Sequence, residues 1–359
     1  MTCFFFLIGK LRSSAGSRLK FVPCWLFLLV FLLAPVTPAQ PQQSDTTTPS
    51  TSPFTEANRL LQLGKFDDAI AQLEGMQNQT PPPPGLDREL GIAFYKKGDY
   101  LNAVLNLQKA LNQNPNDSEV TQLTGLSLYL GGKPAEAIPY LEKVQTWYPT
   151  ANVDASYILG VAYIQTKKYP EARAAFARMY GVPPDSAAAY LFCARVLLRL
   201  DFGPIAEEYA TKAITLDPKL PLAHYLLGEL YLYQSKIDQA ITNLQQEITI
   251  NPGFANGYFK LADAYIRVQK FDDAERLLER SIWLDPNSTG PYILMGKVLE
   301  KKGETEQAVR ALQRAISMDP GNPMAHQLLG QAYRTLGKPA DAERELKQAE
   351  ALTRNPTKP

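Results

Sequence analysis

Apolar side chains recur along this chain at i, i+3, i+4 and i+7 in short runs. The runs come in pairs, and the pairs repeat every 34 residues from Ser50 to Pro356. That spacing places each run on one face of an α-helix. With a small residue set at position 8 of each copy, the first stripe occupies positions 7, 8 and 11 and the second positions 20, 24 and 27. In the seventh copy the stripes are Tyr258, Leu261, Ala262 and Tyr265, then Ala274, Leu278 and Ser281. A short polar turn lies between them, so the predicted unit is helix–turn–helix.

Three positions hardly vary. Position 8 is Gly or Ala in all nine copies (Ala57, Gly91, Gly125, Gly160, Ala194, Gly228, Ala262, Gly296 and Gly330). Position 20 is always Ala: Ala69, Ala103, Ala137, Ala172, Ala206, Ala240, Ala274, Ala308 and Ala342. The spacing slips once, to 35 residues, between Ala137 and Ala172. Small residues let two helix axes approach closely. Position 32 is Pro in eight copies, where it stops the second helix by lacking an N–H and biasing its neighbour away from helical geometry. Pro134, Pro170, Pro204 and Pro339 fall where second helices begin, a position that tolerates Pro. Pro139 falls deeper and predicts a kink.

A small residue at 8, an aromatic or Leu at 11, Ala at 20, Leu or Phe at 24, Pro at 32 and a period of 34 resemble the tetratricopeptide repeat. The likeness covers 307 of 359 residues. It implies an all-α fold, a right-handed superhelical α-solenoid, whose first helices line a concave groove. The departures are small. The family's Trp at position 4 is replaced by Tyr190, His224, Tyr258, Tyr292 or His326, and the last copy has Arg354 at position 32.

Outside the repeats, residues 1–39 carry four basic and no acidic side chains, with an apolar run from Phe21 to Val36. This reads as a secretory signal peptide cut after Ala39, or as an uncleaved membrane anchor. Residues 40–53 form a Gln/Thr/Ser/Pro linker too polar to order itself. The solenoid is expected over 54–356, with a tail at 357–359. Pro81 to Pro84 is expected to loosen or re-angle the first copy. The expected location is exported, periplasmic or extracellular, with membrane contact only through the N-terminal segment.

Removing the leader leaves 33 basic and 36 acidic residues, no electrostatic footprint for nucleic acid. Cys193 is then the single cysteine and reads as a small buried apolar residue. His224 and His326 share position 4, three copies apart, and read as occupants of the aromatic slot. No metal, cofactor or catalytic site is expected, and the chain is not expected to be an enzyme. Asp67-Asp68 and Asp272-Asp273 fall at the starts of second helices, where the helix dipole favours acids.

The expected function is therefore protein binding. The resemblance implies that positions 2, 5, 9, 12 and 13 face the groove. In copies three to seven these give a largely apolar, aromatic lining. The candidate contacts are Tyr129, Tyr157, Leu191, Arg195, Arg199, Tyr225, Glu229, Tyr233, Phe259, Asp263 and Arg267. The alternative is that several of these pack between neighbouring first helices. A scaffold for one or more protein partners and a structural subunit of a cell-envelope assembly both fit. Some family members hold a carboxylate with Lys and Asn at positions 5 and 9; Asn58 is present at position 9, but no Lys stands at position 5 of that copy. The last helix either caps the array itself or supports an end-to-end homodimer.

Overall fold

The computed structural model describes residues 52–148 and 153–354. The leader, nearly all of the linker, the slip at 150–152 and the tail lie outside the described residues. Each copy is an antiparallel helix pair. The pairs are α1 (Thr55–Gln62) with α2 (Phe66–Met76), α3 (Leu86–Lys97) with α4 (Tyr100–Gln113), and α5 (Ser118–Leu130) with α6 (Pro134–Trp147). Next come α7 (Val153–Gln165) with α8 (Tyr169–Tyr180), α9 (Ala187–Arg199) with α10 (Gly203–Leu216), and α11 (Ala223–Tyr233) with α12 (Ile237–Ile250). The last three are α13 (Ala255–Arg267) with α14 (Phe271–Leu284), α15 (Thr289–Lys302) with α16 (Thr305–Met318), and α17 (Pro323–Thr335) with α18 (Pro339–Arg354). Each helix packs on the next, which makes the array an α-solenoid.

The small residues sit where the axes come closest. All nine position-20 Ala are buried. A Cβ added at Gly91, Gly125, Gly160, Gly228, Gly296 or Gly330 would stand 2.4–2.8 Å from the position-24 side chain of the same copy. Those partners are Leu107, Leu141, Phe176, Leu244, Leu312 and Leu346. In these six copies position 8 is Gly, then, because position 24 is large and lies directly on it.

The turn inside each copy is equally regular. Position 15 has positive φ in all nine copies, and the position-16 N–H donates to the position-11 carbonyl, as in Phe202 to Leu197 (2.9 Å) and Lys270 to Tyr265 (2.9 Å). This is a Schellman ending, which favours Gly at the left-handed residue. Five copies use Gly there. Lys167, Asp201, Ser235 and Gln269 occupy the position in copies four to seven, with φ of 58–66°. Gln269→Gly is expected to stabilise the protein by about 1 kcal/mol, seen as a higher urea midpoint at unchanged slope.

Position 4 explains the Tyr and His residues. The Tyr258 hydroxyl donates to the Pro252 carbonyl (3.3 Å), Tyr292 to Pro286 (3.4 Å), and His326 Nε2 lies 3.1 Å from the Pro320 carbonyl. A ring with a donor at its tip thus ties α13, α15 and α17 to the Pro that ended the preceding copy. His326 Nδ1 also meets Glu345 at 2.7 Å, and His224 Nδ1 meets Asn243 at 3.0 Å.

Phe54 is buried and lies beside Gly85, and one apolar core runs from Phe54 to Val120, so the first copy is packed on the second across the Pro run. Pro139 stands on the exposed side of α6, and the helix continues through it. At the far end, α18 buries Ala342 and Ala349 and leaves Glu343, Arg344, Lys347, Gln348 and Glu350 exposed, a charged outer face. Among the described residues, no helix is long and apolar enough to cross a membrane.

Candidate partner-binding surface

The substantial contacts between helices that are not chain neighbours all join first helices. They are α3 with α5, α5 with α7, α9 with α11, α11 with α13, α13 with α15 and α15 with α17. First helices α3 to α7, and again α9 to α17, therefore form continuous faces. That packing decides which of the expected lining residues are available.

Much of the apolar lining is consumed by it. Leu126, Val161, Ile164, Leu191, Leu232 and Ile266 are buried. Leu191, expected to meet a partner, is only 5% exposed, so it belongs to the core and is removed from the candidate contacts. The physical reason is that positions 5, 9 and 12 lie on the flanks of a first helix, and the neighbouring first helix covers those flanks.

The half-buried aromatics are held by the protein itself. The Tyr225 ring meets Phe254 edge-on at 5.0 Å, and its hydroxyl donates to Glu229 at 2.8 Å. Burial and the Glu229 carboxylate push the Tyr225 phenol well above its ordinary range. Glu229 also pairs with Lys260 at 3.0 Å. Tyr157 lies against Phe176 and beneath the Arg199 guanidinium, which is 5.5 Å from the ring centre. The Phe259 ring rests over Gly290 of the next copy, where a Cβ would stand 2.9 Å from it. Tyr129 accepts a bond from Gln165 at 3.4 Å.

What remains exposed is a row at position 13, one residue per copy: Leu130, Gln165, Arg199, Tyr233, Arg267, Lys301 and Thr335. Tyr233 is 78% exposed and Leu130 46%. Arg195, Lys297, Gln331 and Arg334 project beside the row. Arg267 is oriented by Asp263 at 2.9 Å and by the Leu232 carbonyl at 3.1 Å. The surface is thus more polar than the sequence suggested, with Tyr233 as its prominent aromatic.

Two buried groups complete the account. Burial pushes the Cys193 thiol up to about 12, which suits a packing residue and not a nucleophile at neutral pH. Glu247 is wholly buried on α12, and sequence reasoning passed over it. Its carboxylate accepts from the Leu222 N–H at 2.9 and 3.0 Å and from the Tyr225 N–H at 3.2 Å. The sixth copy has Leu220 where Ser186 and Asn322 cap the first helices of copies five and nine. Glu247 supplies the missing cap from the second helix. The available signal was a charged residue at position 27, where other copies carry Ala, Ser, Val or Met.

Comparison with known families agrees with the repeat. Residues 258–292 and 299–357 match tetratricopeptide repeat profiles, and residues 96–179 match that of "Anaphase-promoting complex, cyclosome, subunit 3". Tetratricopeptide repeats are thus recognised in the chain over the matched residues. No curated protein matches it. Among solved structures it is similar to PilF of Pseudomonas aeruginosa, at 20% identity over 56% of this chain and 92% of that one, with a TM-score of 0.47. It is also similar to YrrB, described as a TPR protein with an unusual peptide-binding site, at 19% identity over 52% and 94% of the two chains, with a TM-score of 0.44. A third similar structure is MamA from Desulfovibrio magneticus RS-1, at 19% identity over 47% and 96%, with a TM-score of 0.44.

Proposed function

We propose that this protein is a non-catalytic scaffold that holds a segment of another protein across the face built by its first helices. The observation that carries the reading is Tyr233. It is a large aromatic left 78% exposed in the middle of a continuous helical wall, flanked in its row by Arg199 and Arg267. Aromatic and Arg side chains are the usual anchors of protein recognition. Leu130, Tyr157, Arg195, Glu229, Phe259 and Asp263 then shape the surface around it.

A photo-crosslinking residue at position 233 is expected to capture a protein partner in the native host, and one at Trp283 is not. Trp283 is the control because it is also exposed but lies on a second helix. Capture at 283 alone would remove the reading. Tyr233→Ala is expected to weaken capture about tenfold without changing the melting temperature. A fixed spacer in an envelope assembly predicts instead one stoichiometric neighbour crosslinked at both positions.

We infer further that the chain is exported. The basic leader and its apolar run support this. N-terminal sequencing of the protein from its host is expected to begin at Gln40. A membrane-bound chain that retains residues 1–39 would establish the anchor instead.

A further inference from the structure

We propose that the segment held across the first helices is acidic, an inference that rests on the reading of that face as the binding surface. Charge is segregated between the two faces of copies five to nine. The first helices α9, α11, α13, α15 and α17 carry eight basic and three acidic side chains. The second helices α10, α12, α14, α16 and α18 carry eight basic and thirteen acidic ones. The chain as a whole is nearly neutral, at +1. The segregation is therefore a property of the faces and not of overall composition.

Exposure sharpens it. None of the three acids on these first helices is exposed, whereas Arg195, Arg199, Arg267, Lys297, Lys301 and Arg334 all are. Glu229 and Asp263 are already paired, with Lys260 and Arg267. Among the described residues, Arg195, Lys297, Lys301 and Arg334 have no carboxylate within ion-pair distance. Unpaired cations concentrated on one face attract an anionic partner and repel a basic one.

The geometry also gives a spacing. Arg199, Tyr233, Arg267 and Lys301 stand one per copy on adjacent first helices, which pack about 8–10 Å apart. An extended chain advances about 3.3 Å per residue. A segment crossing the helices would thus meet the row at roughly every third residue, presenting an acid, an apolar residue, an acid and an acid in turn. The protein's own linker does not qualify, because residues 40–53 contain one acid, Asp45. A nucleic acid is the weaker fit. It would need basic groups beyond this strip, and the second helices beside it carry excess acid.

The test uses a fluorescein-labelled peptide with Glu at those intervals around a central Leu, and its counterpart with Gln for Glu. Anisotropy titrations are expected to show the Glu peptide binding at least about tenfold more tightly than the Gln peptide, with the difference shrinking as salt is raised. Arg199→Glu with Lys301→Glu is expected to abolish that preference while the melting temperature stays at the parent value, since both side chains are exposed. Equal binding of the two peptides, or indifference to the charge reversal, overturns the proposal. So does a labelled single-stranded oligonucleotide that displaces the Glu peptide. If the acidic preference fails while position 233 still crosslinks a partner, only the acidic assignment falls. If position 233 captures nothing, the binding face itself is wrong.

Discussion

Gly160→Ala is expected to destabilise the array by about 1–3 kcal/mol. On a free helix the same exchange would stabilise by up to about 1 kcal/mol, so the sign itself tests the packing. An added Cβ would stand 2.4 Å from Phe176 Cε1 and 2.5 Å from Cζ, and a buried ring has no flexible end to swing away. Copies one and seven show what would relieve the clash. There Ala57 faces Leu73 and Ala262 faces Leu278, all buried. Adding Phe176→Leu to Gly160→Ala recreates that pair, so the double variant is expected to lose less than the sum of the single losses. Amide exchange is the appropriate measurement. In a repeat array the effect should concentrate in α7, α8 and their neighbours, leaving α17 and α18 protected as before. Uniform loss of protection, or additive losses, would show that positions 8 and 24 do not meet as described.

Glu247→Ala is expected to cost about 2–5 kcal/mol, the largest effect of any single polar substitution in the array. The carboxylate is fully buried and accepts the N–H groups of Leu222 and Tyr225, which open α11. Truncation removes the acceptor of both half-buried donors and leaves a void where the buried carboxylate stood. Glu247→Gln keeps one acceptor oxygen and is expected to lose about half as much. A Leu220→Asp change on the Glu247→Ala background would restore a cap from the side used by Ser186 and Asn322, and partial recovery is expected. The readout is the urea midpoint together with exchange at the Leu222 and Tyr225 amides. A Glu247→Ala protein as stable as the parent would mean that α11 needs no cap from α12. The same helix carries Tyr225, Glu229 and Tyr233, so loosening its first turn is also expected to weaken partner capture.

The fold was legible because each rule that shapes it is local. A stripe at helical spacing, Ala at position 20, a small residue at position 8 and Pro at position 32 act within one copy or at its boundary, and the structure places all nine copies where the period puts them. The left-handed residue at position 15 was hidden by Lys167, Asp201, Ser235 and Gln269, which stand where Gly would have advertised it. The candidate surface was less legible. Tyr233 and the exposed arginines sit where the repeat register placed them, but Leu191 does not reach the surface, and Tyr225 and Phe259 are engaged by Phe254, Glu229 and Gly290.

The division follows from the range of the interactions. Sequence by itself determined the helices, their pairing and the face each pair buries internally, because periodicity reports what lies on one side of one helix. Only the tertiary structure decided which flank of a first helix its neighbour covers, because that depends on how successive copies pack, and the period is the same whichever flank is covered. The same limit hid Glu247. Its charge is plain in the sequence, but the unpaired N–H groups that justify burying it belong to a helix more than twenty residues away in the chain and adjacent only once the pair has closed.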